Sequence, residues 1–154
     1  MEQRQQTEMR LMVLLGIIKQ LTTTRQSKLF SALDLTLPQF SLMVHFTHAP
    51  ERSWTVTELA EVMEMNQPGI TKIVNVLLEK GLLTSEPDKI DRRKRHLKIT
   101  DHGLNSCKNT MTSLVPDISH IFGDWQDEEL LEMQLHLEKL MSWLDNHRDD
   151  IKQA

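Results

Sequence analysis

The run Lys89-Ile90-Asp91-Arg92-Arg93-Lys94-Arg95 places five cations within seven residues. Clustered cations of this kind displace counterions from phosphates, a chemistry that needs charge density rather than a nucleophile. Upstream, Gln67, Thr71, Lys72 and Asn75 recur at three- and four-residue spacing. Carboxamides read an adenine edge bidentately, and a threonine contacts either a base edge or a phosphate. Lysine suits phosphate. Gly69 permits close backbone approach, and the N–H groups at a helix start can meet a phosphate. Asn66 and Pro68 stand at that same start.

Other reactive residues point to weaker chemistry. His45 and His48 are spaced i, i+3, and His102, Cys107 and His120 follow further along. A metal or redox sensor is therefore an alternative, but ordinary surface or partly buried histidines are the simpler reading. A lone cysteine is more often a small buried residue. It also excludes an intrachain disulfide and a four-cysteine zinc site. No Ser/His/Asp spacing, glycine-rich phosphate loop or metalloprotease motif occurs, so neither catalysis nor a cofactor is expected.

The elements that must hold these residues are short and helical. The chain has 154 residues, 39% hydrophobic and 26% charged, with only five Gly and five Pro but nine Met. This composition fits one helix-rich soluble domain and is too apolar for disorder. The longest apolar run, Leu11 to Ile18, is too short to span a membrane. Glu2 and Glu8 spoil a secretory leader. A bacterial cytosolic, nucleoid-associated location is expected.

Residues 8–31 form a helix that is apolar nearly all round, which calls for burial on more than one side. A second copy of the chain is the expected cover. A second helix starts near Thr36 or Leu37 with Pro38 in its first turn and runs to about His48. Ser53-Trp54-Thr55 is a short extended piece. Thr55-Val56-Thr57-Glu58 has the form of a capping box for a helix to about Glu64. After a tight turn capped by Asn66 or Gln67, a fourth helix runs to Lys80 and stops at Gly81. Two short helices so joined have helix-turn-helix spacing. Residues 82–86 and 95–100 alternate as hairpin strands. Thr100 caps a helix over 101–122, and a last helix spans 127–147. Leu130, Met133, Leu137, Leu140, Met141 and Leu144 form its stripe.

On the fourth helix, Ile70, Ile73, Val74 and Leu77 share one side at 100° per residue. Pro68, Lys72, Asn75 and Glu79 fall opposite, with Thr71 on the flank. A short helix with a small polar outer face suits the major groove of duplex DNA.

The formal net charge of −4 argues against a nucleic-acid partner only until it is divided. Residues 66–98 hold eight Lys/Arg against four Asp/Glu, a local net of +4, whereas residues 117–150 hold ten acidic against two basic residues, a local net of −8. The basic patch coincides with the helix-turn-helix and hairpin. The acidic region would repel a duplex from the other faces.

Three segments carry a family resemblance. Leu35-Thr36-Leu37-Pro38-Gln39-Phe40 resembles the start of a second helix. Glu58-Leu59-Ala60 and then Val74-Asn75-Val76-Leu77-Leu78-Glu79-Lys80-Gly81-Leu82 resemble a helix-turn-helix. Asp91-Arg92-Arg93, with Leu97-Lys98-Ile99-Thr100-Asp101-His102-Gly103, resembles a wing signature. In this order they resemble the MarR family of bacterial transcriptional regulators. The Gln67-Pro68 opening is similar to its SlyA-like branch.

The resemblance implies a mainly α fold with a small β-hairpin wing, a winged helix-turn-helix carrying N- and C-terminal dimerisation helices. Residues 1–36 and 101–154 would form the helical dimerisation region. Residues 37–100 would form the DNA-binding lobe, the whole being one integrated domain. It implies a homodimer on a pseudo-palindromic operator, most often a repressor released by a small aromatic or amphipathic effector. Helix 67–80 would enter the major groove and wing 84–96 the minor groove. Asp91 would pair with Arg93 to shape the wing. Arg92 or Arg93 would enter the minor groove, whose narrow A·T tracts attract arginine. Lys94 and Arg95 would touch phosphates, with Lys89 beside them. Met12, Ile17, Leu137, Leu140, Met141 and Leu144 would line the dimer interface. Val76 departs from the family, which often has a basic or polar residue there. A winged-helix protein-interaction module without DNA binding is the competing class, and the effector residues are not identified.

Overall fold

The computed structural model describes residues 2–151. The order is α1 (Gln3–Phe30), α2 (Leu37–Thr47), α3 (Val56–Val62), α4 (Gln67–Glu79), β1 (Leu83–Pro87), β2 (Arg95–Ile99), α5 (Asp101–Ile121) and α6 (Asp127–Asn146). The fold is mainly helical with one two-stranded hairpin, as expected.

Local side chains set the helix starts. Thr36 accepts from the Gln39 amide at 3.4 Å while the Gln39 side chain accepts from the Thr36 amide at 3.1 Å. Thr55 and Glu58 repeat this reciprocal capping box at 3.3 and 2.7 Å. Asn66, not Gln67, caps α4, its Oδ1 accepting from the Gly69 amide at 2.8 Å.

The helix ends are also local. The amides of Gly81 and Leu82 reach back to the carbonyls of Leu78 and Leu77 at 3.0 and 2.9 Å, with Gly81 at φ +66°. This is the left-handed stop that favours glycine. The third helix ends earlier than expected, at Val62, by the same device. Glu64 takes φ +51°, and the amides of Glu64 and Met65 reach the carbonyls of Glu61 and Ala60. The first helix begins earlier than expected, at Gln3 rather than residue 8.

The hairpin strands are antiparallel, pairing Leu83 with Ile99, Ser85 with Leu97 and Pro87 with Arg95. The extended piece at Trp54 adds a third short rung. The Trp54 amide donates to the Leu97 carbonyl at 2.9 Å and the Leu97 amide to the Trp54 carbonyl at 2.8 Å. Leu35, Leu42, Met43, Phe46, Leu59, Ile70, Leu77, Leu82 and Leu97 are fully buried beneath this sheet and α2 to α4. Each such side chain contributes roughly 1.5–3 kcal/mol of transfer free energy.

Packing divides the chain into two units between Leu114 and Val115. This boundary differs from the one expected near residues 36 and 100. Phe30 at the end of α1 lies against Phe40, ring centroids 5.3 Å apart. Gly103, Cys107, Thr110 and Leu114 on α5 are buried. Both helix ends thus belong to the winged unit. In the second unit, Gln126 and Glu129 cap α6, whose first turn is acidic at Asp127, Glu128 and Glu129. Negative charge there complements the helix dipole. No residue of α6 is buried. Among the described residues, no helix is long and apolar enough to cross a membrane.

Candidate nucleic-acid interface

The buried face of α4 comprises Ile70, Val74 and Leu77. Gln67, Pro68, Thr71, Lys72, Asn75 and Glu79 are exposed, as the helical spacing predicts, and Val76 and Ile73 are half-buried. Gln67 donates from Nε2 to Thr57 Oγ1 at 3.3 Å, which ties the start of α4 to α3. Thr71 turns its hydroxyl back to the Gln67 carbonyl at 2.9 Å. Asn66 is exposed, but its Oδ1 is committed to the cap, leaving its N–H₂ as the outward group. Lys80 fixes the far end of the helix by donating to the Asp34 carbonyl and lying 3.4 Å from its carboxylate.

The hairpin and α4 enclose a cleft of about 640 Å³, walled by Thr57, Gln67, Thr71 and Asn75 on one side and by Ser85, Arg93, Lys94 and Arg95 on the other. Gln67, Thr71 and Asn75 thus share a cleft with Arg93, Lys94 and Arg95 from segments well apart in sequence, whereas Asn66, Pro68, Gly69, Lys72, Lys89 and Arg92 do not line it. Lys89, Arg92, Arg93 and Lys94 are exposed. Arg95 is also exposed, yet its guanidinium crosses to the Ser85 hydroxyl and carbonyl on β1. It braces the wing as well as charging it.

The wing shape rests on two aspartates. Asp91 Oδ1 accepts from the Arg93 amide at 3.1 Å, with the Arg93 guanidinium 3.9 Å away. Asp88 was not singled out by the sequence reading. Its Oδ1 accepts from the amides of Ile90 and Asp91, both at 2.8 Å, and its Oδ2 meets His96 Nε2 at 2.7 Å. His96 Nδ1 lies 3.4 Å from the Ser53 hydroxyl, linking the wing to the extended piece before α3. The His96 hydrogen bond, then the amides of Asp91 and Ile90, hold the Asp88 carboxyl far below the usual carboxylate range. The Asp-x-x-Asp spacing was the signal available, since aspartate commonly caps its own turn.

Beside the cleft, Arg52 stacks 3.6 Å over the Trp54 ring and lies 3.4 Å from Glu58. The Thr55 amide, its hydroxyl and Arg52 lower the Glu58 carboxyl below its ordinary value. His45 meets the Trp54 edge at 6.3 Å, and burial, then His48, lowers its pKa. Among the described residues, no three His, Cys, Asp or Glu side chains come together to hold a metal. A separate apolar hollow of about 340 Å³ lies between α2 and α5, lined by Phe40, Val44, Cys107 and Met111 with Lys108 at its rim.

Residues 33–94 match the MarR family profile. The HTH-type transcriptional regulator PetP of Rhodobacter capsulatus is 32% identical over 60 residues, which are 39% of this chain and 36% of that protein. The match thus spans about a third of that relative. A MarR family protein from Bacillus stearothermophilus shares the fold with a TM-score of 0.78 at 20% identity, over 92% of this chain and 97% of that one. The regulator BldR from Sulfolobus solfataricus gives 0.73 at 24% identity, over 92% and 99%. A mutant MarR from E. coli, complexed with operator DNA, gives 0.66 at 22% identity, over 84% and 94%. At these identities the likeness is one of fold, and that fold is the winged helix.

Proposed function

We propose that this chain is a MarR-family transcriptional regulator that binds double-stranded DNA through α4 and the wing. The cleft that gathers Gln67, Thr71 and Asn75 opposite Arg93 and Lys94 carries the reading. Its polar helix wall suits base edges in the major groove. The wing cations suit phosphates and the minor groove, with Arg92 or Arg93 inserted. The family match over residues 33–94 and the operator complex of a fold neighbour support it. The Gln67-Pro68 opening supports the SlyA-like branch.

The protein works as a homodimer on a pseudo-palindromic operator, with half-sites about 10 base pairs apart. Exposed apolar side chains on α1 and α6 support this. Met12 is 61% exposed and Met141 is 64% exposed, with Ile17, Leu137 and Leu144 also exposed and Leu140 half-buried. We place the effector, an amphipathic small molecule, in the apolar hollow between α2 and α5, and its binding releases a repressor from DNA. A bacterial cytosolic site of action follows from this role.

The test is selection of bound duplexes from a random library, followed by affinity measurement across salt. Salt-sensitive binding to a pseudo-palindrome is expected, at least tenfold weaker when Arg92 and Arg93 are both alanine. No salt-sensitive binding tighter than about 10⁻⁴ M would overturn the reading and leave the protein-interaction module in its place.

A further inference from the structure

Ile90 stands at the tip of the wing with 97% of its surface exposed, more than any other large apolar residue among the described ones. A single exposed isoleucine is ordinary on a protein surface. This one is held in place. Its own amide and that of Asp91 both donate to Asp88 Oδ1 at 2.8 Å, and Asp88 is anchored in turn by His96. The tip backbone is fixed while the apolar side chain projects. Lys89 precedes it and Arg92 follows two residues on, both exposed, while the intervening Asp91 spends its carboxylate on the Arg93 amide and guanidinium.

An apolar projection between two cations fits a groove whose walls are apolar and whose edges are anionic. The minor groove of duplex DNA has that chemistry, with deoxyribose walls and base edges between two rows of phosphates. Apolar wedges enter it in other binding proteins. We propose that Ile90 enters the minor groove of the operator and packs against its sugar walls, while Lys89 and Arg92 meet the flanking phosphates and Arg93 is the arginine inserted beside it. Ile90 is then a positioning residue for the wing that acts through apolar burial. This assignment rests on the DNA-binding reading above.

The charge-free nature of the contact makes it separable. Log affinity falls with log salt in proportion to the phosphates neutralised, so removing an apolar contact leaves that slope unchanged. Fluorescence anisotropy with the selected operator across salt compares wild type, Ile90→Ala, Ile90→Leu and Lys89→Ala. Ile90→Ala is expected to bind roughly tenfold more weakly with the wild-type slope. Ile90→Leu restores affinity, and Lys89→Ala lowers the slope by about one. An unchanged melting temperature for Ile90→Ala checks that the fold is intact. Wild-type affinity in Ile90→Ala, or a changed slope, overturns the assignment while leaving the regulator reading standing. A wild-type protein that binds no duplex overturns both. Binding of wild type, but not Ile90→Ala, to phosphatidylglycerol vesicles in place of DNA would assign the tip to a membrane and overturn the proposal.

Discussion

The Asp88 carboxylate meets the His96 imidazole at 2.7 Å across the base of the wing, and the same carboxylate holds the amides at its tip. One side chain therefore joins the strand β2 to the loop that presents the cations. Replacing Asp88 with alanine frees the Ile90 and Asp91 amides. Their hydrogen exchange should accelerate, and operator affinity should fall by roughly five- to tenfold because an unordered wing must be fixed on binding. Unchanged exchange at both amides would show that the carboxylate does not order the tip.

The same pair fixes a pH dependence. The folded-state pKa of Asp88 is depressed, so its contribution is fully present above the ordinary carboxylate value of 3.8. Below that value it declines, and it is gone once pH has fallen through the lower, folded-state value. Amide exchange at Ile90, corrected for the intrinsic pH effect, should stay protected down to about pH 4. Loss of protection near pH 5 would contradict this order.

Gly103 answers to packing. A Cβ there would lie 2.3 Å from the Leu82 carbonyl oxygen and 2.8 Å from Ile99 Cγ1. Thr100 sits in the same corner, its hydroxyl accepting from the Gly103 amide at 3.0 Å and donating to the Gly81 carbonyl at 2.8 Å. Gly103→Ala should cost about 3 kcal/mol by forcing α5 away from the hairpin. Urea unfolding checks this, and a loss below about 0.5 kcal/mol would mean that the corner yields freely.

Cys107 is buried, and burial pushes its thiol up to about 11. Roughly one molecule in a thousand carries the thiolate at pH 8, so a disulfide reagent should label the folded protein slowly and the urea-unfolded protein at once. Because the unfolded thiol ionises first, its contribution to stability is complete below its ordinary value of 9.0 and declines as pH rises towards 11. Rapid labelling of the folded chain would revive the redox-sensor alternative.

The exposed apolar residues of α6 predict the outcome of a further measurement. Leu137→Glu with Met141→Glu places charges where two copies should meet. Sedimentation should then report one chain in place of two, with operator affinity lost alongside. A wild-type protein that sediments as a monomer would remove the dimer from the proposed function.

Much of the outline was legible in the residue order because it depends on neighbours within four positions. The Thr55–Glu58 capping box, the Gly81 stop and the inward face of Ile70, Val74 and Leu77 all lie within one or two helical turns. The Asp91–Arg93 turn is as short, but it was the family resemblance that implied it. Leu42, fully buried on α2, carries no such local mark, because a helix buried on more than one side has no single apolar stripe.

By itself, then, the sequence determined the helices, their caps, the hairpin and the uneven placement of charge, since hydrogen bonds and side-chain periodicity within a few residues need no distant partner. Only the tertiary structure decided that Ser53 meets His96, that Arg95 turns to Ser85, that Gly103 faces the Leu82 carbonyl, and that Asn75 shares a cleft with Arg93. Those contacts join residues well apart along the chain. Closing such loops has an entropic cost that only the shared core offsets, so no local spacing announces them.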